Sequence, residues 1–172
     1  MVQVSGRKSM REAAAAAFEE MAAACKKETG KQLTCVSGFR SYETQRNLYA
    51  NKLKKVKTEA KADEYVARPG ASEHQLGLAQ DVGQVQEQSL VRAFGDTVGG
   101  QWIRENCWRF GFILRYGEEW ESVTGYKYEP WHVRYVGLET STAIHEDPVP
   151  FETYLLRLRE ERLTDILRRG KR

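Results

Sequence analysis

Ser72-Glu73-His74-Gln75-Leu76-Gly77-Leu78-Ala79-Gln80-Asp81 admits two backbone paths, each with a different fold behind it. On a continuous helix His74 and Asp81 would share nearly one face. Gly77 and the β-rich residues after it favour the other path, a loop that runs into a strand over residues 78–82. The chain must then fold locally to turn both side chains inward, and Gly77, free to take positive φ, is where it can do so. A second string, Glu129-Pro130-Trp131-His132-Val133-Arg134-Tyr135, poses the same problem. On a regular strand Glu129 and His132 would face opposite sides. Pro130 holds Glu129 extended and interrupts ladder bonding, so it marks a bend that brings both into one pocket.

Outward from these strings the pattern is helical at both ends. Ser9-Met10-Arg11-Glu12 has capping-box form, and Phe18, Met21 and Cys25 follow at helical spacing until Gly30. Residues 32–37 are β-rich and enter Gly38-Phe39-Arg40-Ser41, where the glycine permits a tight turn and Ser41 caps a helix through Leu48 and Tyr49. The lysine-rich residues 51–61 read as a solvated helical face or connector, and a further short helix ends before Arg68-Pro69-Gly70. A polar stretch with Gly95, Gly99 and Gly100 precedes a helix marked by Trp102, Ile103, Cys107 and Phe110. Residues 112–116 and 131–136 read as strands. Residues 140–144 and 151–167 read as helices, the last with Leu155, Leu158 and Leu163 inward and arginines outward. Helices grouped early and late around short strands predict an α+β fold with a small, mostly antiparallel sheet, in one domain over residues 1–172.

At 172 residues the chain is long enough to bury a core without disulfides. Cys25, Cys35 and Cys107 have no metal-type spacing and read as buried small hydrophobes. A net charge of +3, from 27 basic and 24 acidic residues, is too small to argue for nucleic acid. No stretch is apolar enough to span a membrane. The first nine residues lack the apolar segment of a signal peptide, which predicts either a cytoplasmic protein or an export segment outside this chain.

The two strings hold His74, His132, Asp81 and Glu129. Two imidazoles and one carboxylate suit a zinc site with three protein ligands and a fourth position open, the arrangement of catalytic zinc. The remaining carboxylate, Glu129, is then free to handle protons. A lone histidine is more often a core or surface group, and His145, beside Glu146 and Asp147, reads as surface. A closed structural zinc site would draw on cysteines, and none lies in either string.

Ser72 to Asp81 matches SxHxxGxAxD, and Glu129 to His132 matches ExxH. Together they resemble the VanY-type zinc D,D-carboxypeptidases, relatives of the VanX dipeptidases and of bacterial L,D-carboxypeptidases. Val36-Ser37-Gly38-Phe39-Arg40-Ser41-Tyr42-Glu43-Thr44-Gln45 is similar to that family's SGYRS segment, and Gly111-Phe112-Ile113-Leu114-Arg115-Tyr116 to its GFxxRY segment. Gly125-Tyr126 and Tyr135-Val136-Gly137 extend the likeness. The resemblance implies the zinc fold shared by D-Ala-D-Ala peptidases and the Hedgehog signalling domain. It implies zinc on His74, Asp81 and His132, with Glu129 as general base. Arg40 would stabilise the developing oxyanion or the substrate carboxylate, Ser72 would bond the terminal carboxylate and Gln45 the peptide backbone, and Trp131 would form a pocket wall.

The implied activity is removal of terminal D-alanine from a peptidoglycan stem pentapeptide or its precursor. The alternatives are an L,D-carboxypeptidase acting on tetrapeptides, a D-Ala-D-Ala dipeptidase, and a non-catalytic wall-binding or signalling module. Exported relatives act on assembled wall, so a trimmed catalytic domain would work in the cell envelope. The chain departs from the family pattern at Gly117-Glu118-Glu119-Trp120-Glu121, where a proline and a lysine-containing turn are common, and at the glycine-rich residues 89–100. Both segments are expected to shape the substrate entrance.

Overall fold

The first ten residues form a hairpin, β1 (Val2–Val4) antiparallel to β2 (Lys8–Met10), and lead directly into α1 (Glu12–Thr29). A computed structural model describes residues 1–6, 8–86 and 88–169. In α1 the buried residues Ala14, Ala15, Phe18, Met21, Ala22 and Cys25 make one apolar face, and Gly30 ends the helix at φ 74° with its N–H on the Lys26 carbonyl. The capping box does not form. Ser9 lies in β2, its carbonyl accepts the Phe39 N–H at 2.7 Å, and the helix starts at Arg11 with no side-chain cap. Pairing with β1 has outweighed a local cap worth about 1 kcal/mol.

β3 (Leu33–Ser37) and α2 (Tyr42–Val56) are joined through Gly38, which keeps an ordinary φ. Close approach is what requires glycine there, since a Cβ would sit 2.6 Å from the Ser9 carbonyl oxygen. Ser41 caps α2, its hydroxyl accepting the Thr44 N–H at 3.2 Å. The helix runs on through most of the lysine-rich stretch before α3 (Glu59–Asp63).

After a 3₁₀ turn over Glu73–Leu76 come β4 (Ala79–Gln84) and α4 (Val98–Asn106). Gly99 and Gly100 are buried in the first turn of α4, where a polar stretch ahead of the helix was expected. Their small size lets that turn press against neighbouring backbone, because a Cβ on Gly100 would lie 2.0 Å from the Phe94 carbonyl oxygen. A 3₁₀ turn, Cys107–Phe110, separates α4 from β5 (Phe112–Leu114), so the expected single helix is split and Arg115 and Tyr116 run past the strand. The chain closes with α5 (Glu121–Thr124), β6 (His132–Tyr135), α6 (Leu138–Glu146) and α7 (Phe151–Arg169).

The main sheet is antiparallel throughout in the order β3-β4-β6-β5, so the fold is α+β as expected. Leu33, Cys35, Val82, Phe112 and Val133 of the sheet join Phe18, Met21 and Cys25 of α1 and Trp102 and Ile103 of α4 in one core. Each large apolar side chain there contributes about 1.5–3 kcal/mol. Cys25, Cys35 and Cys107 are buried free thiols. The last helix corrects the sequence reading. No residue of α7 is buried, and Leu155 and Leu163 are about half exposed (48% and 50%). Helical amphipathicity marks a face that needs cover without saying whether cover is present. Among the described residues no helix is long and apolar enough to cross a membrane.

Candidate metal centre

Pairing of β4 with β6 sets Asp81 opposite His132. Ser72 leads into the 3₁₀ turn, Gly77 ends it at φ 69°, and the turn brings His74 back over the start of β4. The Pro130–Trp131 bend does the same for the second string, closing with the His132 N–H on the Glu129 carbonyl at 3.0 Å. His74, Asp81 and His132 are all buried, and one ligand atom from each lies within 4.8 Å of the others.

The hydrogen bonding selects which atoms face inward. His74 Nδ1 is 2.8 Å from the Gly38 carbonyl, which can only accept, so Nδ1 carries the proton and Nε2 presents its lone pair. Among the described residues that Nε2 has no hydrogen-bond partner, and it lies 3.3 Å from Asp81 Oδ1. His132 Nδ1 approaches the same oxygen at 3.1 Å. A buried imidazole lone pair left without a donor is costly. His74 Nε2 and His132 Nδ1, converging on one carboxylate oxygen, fit a divalent cation, and these three residues would hold one.

Glu129 stands beside the donors, Oε2 3.6 Å from His132 Nδ1. Burial pushes its carboxyl up to about 7, with His132 opposing. Glu73 shows the reverse. Burial would raise it too, but His132, Arg115 and Arg134 outweigh burial and hold it at about 2. Asp81 is likewise held well below the usual carboxylate range by His74 and His132 against its burial. One carboxylate is thus poised near neutrality among others that stay ionised.

Arg40 donates from Nη2 to Asp81 Oδ2 (2.8 Å), from Nη1 to Gln45 Oε1 (3.2 Å) and from Nε to Ser37 Oγ (3.1 Å). It is fixed against the metal-site carboxylate, and two of a guanidinium's five N–H groups remain for another acceptor. Gln45 is fully buried behind it, with Nε2 donating to the Ala67 carbonyl at 2.7 Å, so this amide is engaged in placing Arg40. Ser72 and Trp131 both line a cavity of about 690 Å³ that contains the His-Asp-His cluster and Glu129 and extends to Lys52 and Lys55 on α2. Two of the lysines read as solvated surface therefore face the cleft. Glu118, Glu119 and Trp120 line a different cavity, of about 280 Å³, together with Trp108 and His145. They do not border the cleft, whereas Leu90 does. His145 is exposed and stacked on Trp108.

The sequence reading gives Glu73 no role. In the structure its Oε1 accepts from Arg115 Nε (2.9 Å) and pairs with Arg134 Nη1 (3.1 Å), while Oε2 faces His132 Nε2 at 3.6 Å. The signal that could have found it is an acid beside His74 together with two arginines in otherwise apolar strand segments.

The profile of the D-alanyl-D-alanine carboxypeptidase family, VanY, matches residues 7–138. The chain belongs to the VanY family. Among its relatives is YodJ of Bacillus subtilis, 41% identical over 155 residues, which are 90% of this chain and 56% of that protein. The chain spans about half the length of this and two further sequence relatives, matching 40–56% of each. The LdcB LD-carboxypeptidase structure superimposes with a TM-score of 0.80 at 42% identity, covering 90% of this chain and 72% of that one. A vancomycin-resistance D,D-pentapeptidase VanY solved in complex with Zn(II) gives 0.78 at 34% identity, covering 90% and 88%. The VanY-family match contains all four residues of the two strings that converge here.

Proposed function

We propose that this chain is a zinc carboxypeptidase that removes the terminal D-alanine from a peptidoglycan-type stem pentapeptide or its precursor. The observation that carries the reading is Glu129, a carboxyl that burial raises toward neutrality, standing beside three converged donors in the wall of an open cleft. When bound, zinc supplies Lewis acidity that polarises the scissile carbonyl and lowers the pKa of water. Glu129 takes the proton of the attacking water on its carboxylate and returns it to the leaving amine. Arg40, held by three protein acceptors, offers its remaining N–H groups where negative charge develops and needs no reorganisation to do so. Ser72 and Trp131 border the space for the peptide end. The cleft is larger than a free dipeptide requires, which supports a longer peptide substrate over D-Ala-D-Ala alone. A chain acting on assembled wall would work in the cell envelope.

Replacing Glu129 by Ala is expected to leave zinc bound and to lower turnover roughly 10²–10⁴-fold. A variant as active as the parent would remove the mechanism and leave a binding module as the better reading. Likeness to LdcB favours a second reading, hydrolysis of an L,D bond in a tetrapeptide. D-Alanine release from pentapeptide, tetrapeptide and free D-Ala-D-Ala, measured side by side, separates them: an intact pentapeptide rejects the first choice.

A further inference from the structure

We propose that Glu152, on a helix beyond the segment matched by the family profile, is a positioning residue for the metal centre, acting through Arg115 and Glu73 on His132. The inference rests on reading His74, Asp81 and His132 as metal ligands. Glu152 meets Arg115 fork to fork, Oε1 to Nη2 at 2.5 Å and Oε2 to Nη1 at 3.1 Å. Arg115 spends its remaining edge, Nε, on Glu73 Oε1. Glu73 Oε1 is shared with Arg134, so Oε2 is the atom left for His132 Nε2. Among the described residues neither Oε2 nor that Nε2 has a hydrogen-bond partner, and the two face each other at 3.6 Å.

The division of labour around Arg115 is what links the helix to the site. Arg115 is buried, 7% exposed, and a buried guanidinium must have its donors satisfied. Its plane is held by the Tyr116 ring (4.9 Å) and the Phe151 ring (5.6 Å), and Tyr116 also packs on the His132 ring at 4.9 Å. With Glu152 present, each Nη group already bonds a carboxylate oxygen and Glu73 keeps Oε2 toward the imidazole. Without it, Glu73 is the carboxylate already bonded to Arg115, and turning Oε2 onto an Nη group releases His132 Nε2. The imidazole then loses the partner that fixes which nitrogen, Nδ1, is offered to the metal.

Zinc affinity by chelator competition and the visible spectrum of the cobalt-substituted protein test this, alongside the melting temperature of the metal-free chain. Glu152→Ala should weaken zinc binding about 10-fold, the lower end for partners of metal-bound histidine, and alter the cobalt bands. Glu152→Gln, which keeps one acceptor for Arg115, should fall between. Glu73→Ala should weaken zinc further, and adding Glu152→Ala to it should cost nothing more, because the two act in series. Glu73→Gln replaces Glu73→Ala in the cycle if the alanine variant does not fold. A lower melting temperature with unchanged zinc affinity and cobalt spectrum would make Glu152 a mere anchor and overturn the proposal, as would additive losses in the double variant. Failure of the parent chain to bind zinc would overturn the metal-centre reading and this one with it.

Discussion

Glu129 and Glu73 carry the same side chain within one buried site and hold their protons oppositely. Burial dominates at Glu129, whereas at Glu73 two arginines and an imidazole overcome it. Glu129 was legible because Pro130 and His132 mark it within one short string. Glu73 was not, since its partners Arg115 and Arg134 come from other parts of the chain. Arg40 lies between these cases: the family resemblance implied its place across the pocket, but its grip on Asp81 depends on a strand far along the chain. Arg40→Lys keeps the charge and loses the fork. Steady-state kinetics on a D-alanine-releasing peptide should show kcat/KM reduced roughly 10²-fold, the scale of one lost oxyanion donor. Near-parental kcat/KM would mean that charge alone suffices.

At the level of elements, α1 and α2 follow from local rules. Helical apolar spacing and Gly30 define the first, and Ser41 starts the second. Ser41→Ala should therefore cost about 1 kcal/mol in urea unfolding, with an unchanged m-value; no change would show that α2 is set by tertiary contacts alone. Where local rules failed, a non-local contact had won. Ser9 forms a strand because β1 is available to pair with it, and Gly99 and Gly100 enter a helix because only a bare backbone fits against Phe94 and Gln84. Gly100→Ala should destabilise by about 1–3 kcal/mol, the usual cost of overpacking, despite alanine's higher helix propensity. An increase in the urea midpoint would mean that the close approach is relieved easily.

For the molecule as a whole, the apolar core of α1, α4 and the sheet is built from residues other than the four that converge at the cleft. Metal removal should accordingly abolish activity while leaving the far-UV circular dichroism of a folded protein, and added zinc should restore turnover. Unfolding on chelation would make the metal structural. The sequence by itself determined the α+β class and the two helices with local start or stop signals, because spacing, glycine and serine caps act within a few residues. It offered the donors and carboxylate of the candidate site as residue types in two strings, and their roles came from the likeness of those strings to a family. Only the tertiary structure decided that Asp81 faces His132 across a strand pair, that Arg40 and Gln45 act as a unit, that two lysines of α2 line the cleft and that α7 reaches the site through Glu152. Those outcomes depend on which distant charges share a desolvated space, and an ion's worth there is set by the partners that folding brings to it.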